Sequence, residues 1–193
     1  MNTAWRLFDD TAVTVPIAVL LLGFLIAAGQ FRLAIGWTLV IIGRAGAVAA
    51  LKLSLAVCGY PLAESGLRSP SGHTAMSIAV YGGMTTVISG TVNRSAHAVL
   101  IAAITTLTIG VALSRTIIGY HTPVEVVVGI VIGLAALLAI IVVVVHYRPE
   151  NLSTPWLIAA CLVLIALFYS TALASRTGHS RAGSVVRYTA PLV

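Results

Sequence analysis

Six long apolar stretches dominate this chain, at residues 13–29, 33–57, 73–90, 96–119, 123–146 and 156–174 of 193. A helix needs about 20 apolar residues to cross the hydrocarbon of a bilayer, so each stretch is long enough, some with tilt. Only 8% of the residues are charged, against about 25% in a soluble domain. That is too little to cover a water-facing surface, and the mean hydropathy of +1.06 says the same. The expected fold is therefore all-α, a polytopic membrane bundle of about six transmembrane helices forming a single domain over residues 1–193.

Short polar breaks separate the stretches, at Gln30–Arg32, Gly59–Gly72, Thr91–Ser95, Gly119–Thr122 and Tyr147–Pro155. They carry the proline, glycine and asparagine expected at helix ends. The tail, residues 175–193, is polar and basic and is a candidate for disorder. Asp9 and Asp10 precede the first stretch, where a secretory leader would carry positive charge. That stretch therefore reads as a span. Ala27-Ala28-Gly29 is cleavage-like, and removal there would leave five spans and the same chemistry.

The net charge is +6 and the pI about 9.9. The eleven Lys and Arg are scattered singly between apolar runs. No basic face suits nucleic acid, so they read as membrane flanks and anion-binding groups. Cys58 and Cys161 are separate and form no CxxC. They read as small packing residues, with a disulfide between them left open.

Ionisable residues near apolar spans are costly and need a reason. Most fall in three places: Arg44 and Lys52 in the second stretch; Arg68-Ser69-Pro70-Ser71-Gly72-His73 before the third; and Ser114-Arg115 with Gly119-Tyr120-His121-Thr122-Pro123-Val124-Glu125 between the fourth and fifth. Helices that alternate in direction bring the ends of spans two and four, and the starts of three and five, to one membrane face. Lys52, Arg68, His73, Arg115, His121 and Glu125 can then converge there. Cations, two histidines, a carboxylate and two helix N-termini make an anion site able to move protons. Thr122-Pro123-Val124-Glu125 reads as a capping box with Pro at the first helical position. Gly72 lets an anion approach the backbone N–H groups that open the third span.

These motifs resemble the type 2 phosphatidic acid phosphatase superfamily, which includes lipid phosphate phosphatases and undecaprenyl-diphosphate phosphatases. That family carries a Lys followed by Arg-Pro, then Pro-Ser-Gly-His, then Ser-Arg with a downstream His and Asp. Here Pro70-Ser71-Gly72-His73 matches the second motif, and Ser114-Arg115 with His121 and Glu125 the third. The resemblance covers Lys52 through Gly129. Two positions depart from it. Glu125 stands where Asp is usual, and Gly59 and Tyr60 stand where Arg-Pro would follow Lys52.

The resemblance implies an integral membrane lipid phosphatase working through a phospho-histidine. His121 is the implied nucleophile. Glu125 fixes its tautomer, and His73 protonates the leaving group and then activates water. Lys52, Arg68, Ser71, Gly72, Ser114 and Arg115 hold or support the phosphoryl group, with Arg68 standing in for the missing guanidinium. No cofactor or metal is implied. The partner is a lipid phosphate, either a polyprenyl diphosphate or a phosphatidate-like lipid. A lipid-to-lipid phosphotransferase and a non-catalytic lipid-phosphate binder are the alternatives. The lipid-embedded composition argues against a vanadium haloperoxidase, which shares this anion site.

Simpler roles compete at several positions. Glu125 is explained by capping alone, although one oxygen can cap while the other accepts from His121. Lys52 and Arg115 can snorkel to the interface. Arg44, in mid-span, can pair with a helix carbonyl or line the cavity, and stays outside the core site. Tyr120 and the tryptophans read as interface anchors, and His97, His146 and His179 as structural or solvated. With the motif face outside, the inside loops carry Arg32, Arg94 and Arg148, as the positive-inside rule requires. The same topology puts Arg176, Arg181 and Arg187 outside. The family's extracytoplasmic precedent favours that orientation. A compact, loop-poor chain suggests a bacterial inner (cytoplasmic) membrane.

Overall fold

The computed structural model describes residues 11–58, 66–90 and 92–148. The sixth apolar stretch, the basic tail, Asp9, Asp10, Gly59, Tyr60, Cys161 and His179 lie outside the described residues.

Among the described residues the fold is all helix. α1 is Thr11–Ala27 and α2 is Phe31–Cys58. α3 is one rod made of Gly72–Ser77, a π-helical segment Ile78–Gly82, and Gly83–Ile88. α4 is Arg94–Ile117 and α5 is Pro123–Tyr147. Three segments are long and apolar enough to cross a membrane: Phe31–Val57, Arg94–Ile117 and Pro123–Tyr147. α1 has 17 residues, about 25 Å at the helical rise, which is short of the roughly 30 Å hydrocarbon core. Among the described residues, three helices are long enough to span and α1 and α3 are shorter, and the sixth expected stretch lies outside them.

The core lies between α1, α2, α3 and α5. Ile17, Leu21, Leu25, Leu33, Trp37, Val80, Val87, Ile88 and Ile140 are almost fully buried there. Trp37 Nε1 donates to the Ala18 carbonyl at 3.2 Å, so even the indole N–H is satisfied inside the apolar layer. The outward faces stay apolar too. Val19, Ile35, Leu39, Ile42, Val99, Val131 and Val142 are exposed, as lipid-facing helices require.

Glycines set how closely α3 and α5 approach. A Cβ on Gly129 would stand 2.5 Å from the Ser71 carbonyl oxygen, and one on Gly133 would stand 3.1 Å from Ala75 Cα. Gly129 and Gly133 are four apart on one face, the small-xxx-small spacing that lets helix backbones meet in a bilayer. This contact clamps the Pro70-Ser71-Gly72-His73 segment against the helix that carries Glu125.

Candidate active site

The site is assembled where α4 ends, α5 begins and residues 66–71 lead into α3. α4 closes in a Schellman turn. Gly119 adopts φ +79°, which glycine takes without steric cost. The Tyr120 amide donates to the Arg115 carbonyl at 3.1 Å, and the Gly119 amide to the Thr116 carbonyl at 3.1 Å. The His121 amide also donates to the Arg115 carbonyl, at 3.2 Å. The end of α4 therefore fixes the backbone of His121.

α5 opens in the expected capping box. Thr122 Oγ1 accepts from the Glu125 amide at 3.3 Å, and Glu125 Oε2 accepts from the Thr122 amide at 3.1 Å. Thr122 Oγ1 also donates to the Gly66 carbonyl at 2.7 Å. Gly66 has φ +79°, so the turn that meets Thr122 uses a conformation open to glycine.

Glu125 is 5% exposed, and its carboxylate accepts four hydrogen bonds. Oε2 takes the Thr122 amide and His121 Nδ1, the latter at 2.9 Å. Oε1 takes the Arg68 amide at 3.0 Å and the Ser69 amide at 2.7 Å. The division of labour differs from the one the sequence suggests. Capping and His121 share one oxygen, and the other reaches across to the loop before α3. The reach of a glutamate allows this bridge. Its backbone joins in, since the Glu125 carbonyl accepts from the Ser71 amide at 3.0 Å.

An ionised carboxylate only accepts, so Nδ1 of His121 donates this bond, and in the neutral ring Nε2 is the nitrogen with the free lone pair. The His121 side chain is 15% exposed. It borders a cavity of about 660 Å³ lined by Gly66, Arg68, Ser69, Gly119, Tyr120, His121, Thr122 and Glu125.

Of the remaining residues singled out from the sequence, Arg68 lines this cavity, and Arg115, Ser114, Ser71, His73 and Lys52 do not. Arg68 lines it with an exposed side chain. Its amide is what grips Glu125. Arg115 holds its guanidinium 5.6 Å from the centre of the Tyr120 ring, a cation–π contact beside the site. Ser114 is buried and donates to the Val111 carbonyl of its own helix at 2.7 Å. Ser71 is fully buried and caps α3, its Oγ lying 2.9 Å from Thr74 Oγ1. His73 is half-buried in the first turn of α3, next to Gly72. Lys52 is exposed near the end of α2 and does not line the cavity. Among the described residues, no cluster of three or more His, Cys, Asp or Glu is placed to hold a metal ion.

Two residues gain a place that sequence reasoning withheld. Tyr120 lines the cavity instead of serving only as an interface anchor. Arg44 Nη1 donates to the Gly72 carbonyl at 3.2 Å. The carbonyl pairing was one of the two options open to Arg44, but no local pattern names the carbonyl.

Comparison with known proteins fits this arrangement. No curated protein and no solved structure matches the chain. Residues 47–150 match the PAP2 superfamily, a span that holds the end of α2, all of α3, α4 and α5, and every residue around the cavity. The chain therefore belongs to the PAP2 superfamily, whose members are phosphatases.

Proposed function

We propose that this protein is a membrane lipid phosphatase that hydrolyses a lipid phosphomonoester or diphosphate through a phospho-histidine on His121. The observation that carries the reading is His121 held through Nδ1 by Glu125 at 2.9 Å, on the wall of an open cavity. A histidine fixed in this tautomer presents Nε2 as a nucleophile.

In the first step Nε2 attacks phosphorus, the P–O bond to the lipid breaks, and His73 gives the departing oxygen a proton. Glu125 stabilises the positive charge that develops on the His121 ring. In the second step water attacks phosphorus, His73 takes its proton, and the P–N bond breaks to release inorganic phosphate. Arg68, on the cavity wall, and Arg115, against the Tyr120 ring, supply positive charge for the phosphoryl oxygens.

A lipid substrate is supported by the space beneath the loop that bears His121. There α3, α4 and α5 leave a groove of about 630 Å³, running from Ala112 and Ile130 near the site to His97 and Val145 at the far end. Thr85, Thr86 and Thr108 line it but donate to carbonyls of their own helices at 2.9 Å. Such a wall is apolar and suits a hydrocarbon tail. Arg32, Arg94 and Arg148 at the opposite ends of the helices support an extracytoplasmic site in a bacterial cytoplasmic membrane.

The test is phosphate release in detergent micelles, with EDTA present, from polyprenyl diphosphate, phosphatidate and phosphatidylglycerophosphate. Wild type is expected to release phosphate from at least one, with the activity lost in His121→Ala. Full activity in His121→Ala would remove His121 as nucleophile. Product formed only when a lipid alcohol is added would make the protein a phosphotransferase.

A further inference from the structure

Arg44 is a cation in the middle of an apolar span, outside the residues that line the cavity. On α2 it shares one stripe with Val48, Lys52 and Leu55, which follow at helical spacing. Gly72 faces the middle of that stripe, since a Cβ there would stand 3.5 Å from Val48 Cγ1. Arg44 and Lys52 each lie one turn from Val48, about 6 Å along the axis, so the two cations bracket the start of α3. Arg44 Nη1 donates to the Gly72 carbonyl, while its Nε is buried with no hydrogen-bond partner among the described residues.

This is a poor arrangement for stability. A guanidinium in an apolar span is costly to desolvate, and a buried donor left without an acceptor adds to that cost. Among the described residues, the hydrogen bond it makes goes to the residue immediately before His73. We infer that Arg44 is a positioning residue. Its bond to the Gly72 carbonyl sets the height and rotation of the first turn of α3, and through that turn the approach of His73 to the reacting phosphoryl group. The inference rests on the proposed reaction for the role of His73. The geometric part, a tether on the first turn of α3, does not. Because Arg44 acts through another residue, its loss lowers kcat and spares KM.

The experiment compares wild type with Arg44→Met, which keeps length and loses the donor, and with Arg44→Gln, which keeps a donor. Each is purified whole in detergent. Measured are Tm, kcat and KM for phosphate release, competitive inhibition by inorganic phosphate, and amide hydrogen exchange over residues 66–77. For Arg44→Met, kcat is expected to fall tenfold or more, with KM and phosphate inhibition within threefold and Tm equal to or above wild type. Exchange over 66–77 speeds up, and Arg44→Gln regains part of kcat. A lowered Tm with unchanged kcat per folded molecule would overturn the inference in favour of a purely structural arginine. A rise in KM and weaker phosphate inhibition at unchanged kcat would overturn it in favour of direct phosphate binding. If wild type released no phosphate, the proposed function would fail by itself. Unchanged exchange over 66–77 in Arg44→Met would still refute the tether.

Discussion

Replacing Glu125 by Gln removes a charge, but its sharper effect is on hydrogen-bond direction. The carboxylate accepts from four donors: His121 Nδ1 at 2.9 Å, and the amides of Thr122, Arg68 and Ser69 at 3.1, 3.0 and 2.7 Å. A carboxamide offers one acceptor oxygen and an NH₂ group that only donates. If its oxygen turns to His121 and Thr122, the amides of Arg68 and Ser69 both face N–H groups, at a cost of about 1–3 kcal/mol each. If its oxygen stays with the loop, only the Thr122 amide is opposed, because Nδ1 can shed its proton and accept from the NH₂. The second orientation wins by roughly the cost of one unmade bond, about 1–3 kcal/mol. It leaves the proton on Nε2, the atom required to attack.

The expected loss in kcat is therefore large, about 10³–10⁴-fold or roughly 4–5.5 kcal/mol of barrier, the scale seen when a triad aspartate becomes asparagine. Unfolding free energy should fall by only about 1–3 kcal/mol, the cost of the single opposed amide. The assay is single-turnover phosphate release in micelles, with acid-labile phosphoprotein trapped at early times. Glu125→Asp is the control. It restores an acceptor for His121 while shortening the reach to the loop, so it should recover more activity than Gln. A Glu125→Gln protein that turns over within threefold of wild type would refute the tautomer argument.

Two packing predictions follow from the same contact between α3 and α5. Gly129→Ala places a Cβ 2.5 Å from the Ser71 carbonyl oxygen, and a backbone atom cannot swing aside. Thermal unfolding in detergent should show about 1–3 kcal/mol of lost stability from overpacking, and a Tm within 1 °C of wild type would show that the helices part freely. Ser71→Ala removes the cap of α3 and leaves the Thr74 hydroxyl without its partner at 2.9 Å. The cost should be about 1–2 kcal/mol in unfolding free energy with KM little changed. A large rise in KM at unchanged stability would instead make Ser71 a phosphate ligand.

Much of this protein is determined within single helical turns, and that part is legible in the sequence. Apolar runs with almost no charge define lipid-embedded helices, because an unpaired backbone in hydrocarbon has no other outlet. The helices begin and end where Thr122-Pro123-Val124-Glu125, Ser71-Gly72 and Gly119 say they should, because caps and left-handed turns depend on neighbours in the chain. Alternation of direction then brings His121, Glu125 and Arg68 to one face without further information.

Tertiary structure alone decides which distant partners those groups find. Nothing near Glu125 in sequence names the amides of Arg68 and Ser69, and nothing near Arg44 names the carbonyl of Gly72. Nor does the sequence say that Lys52 stands off the cavity while Tyr120 borders it. Those outcomes depend on the rotation of each helix about its axis and on how closely two backbones meet, which here is set by Gly129 against Ser71. Periodicity and capping give where a helix begins and which face is apolar. The ångström-scale approach of one helix to another comes from the packing of every side chain between them.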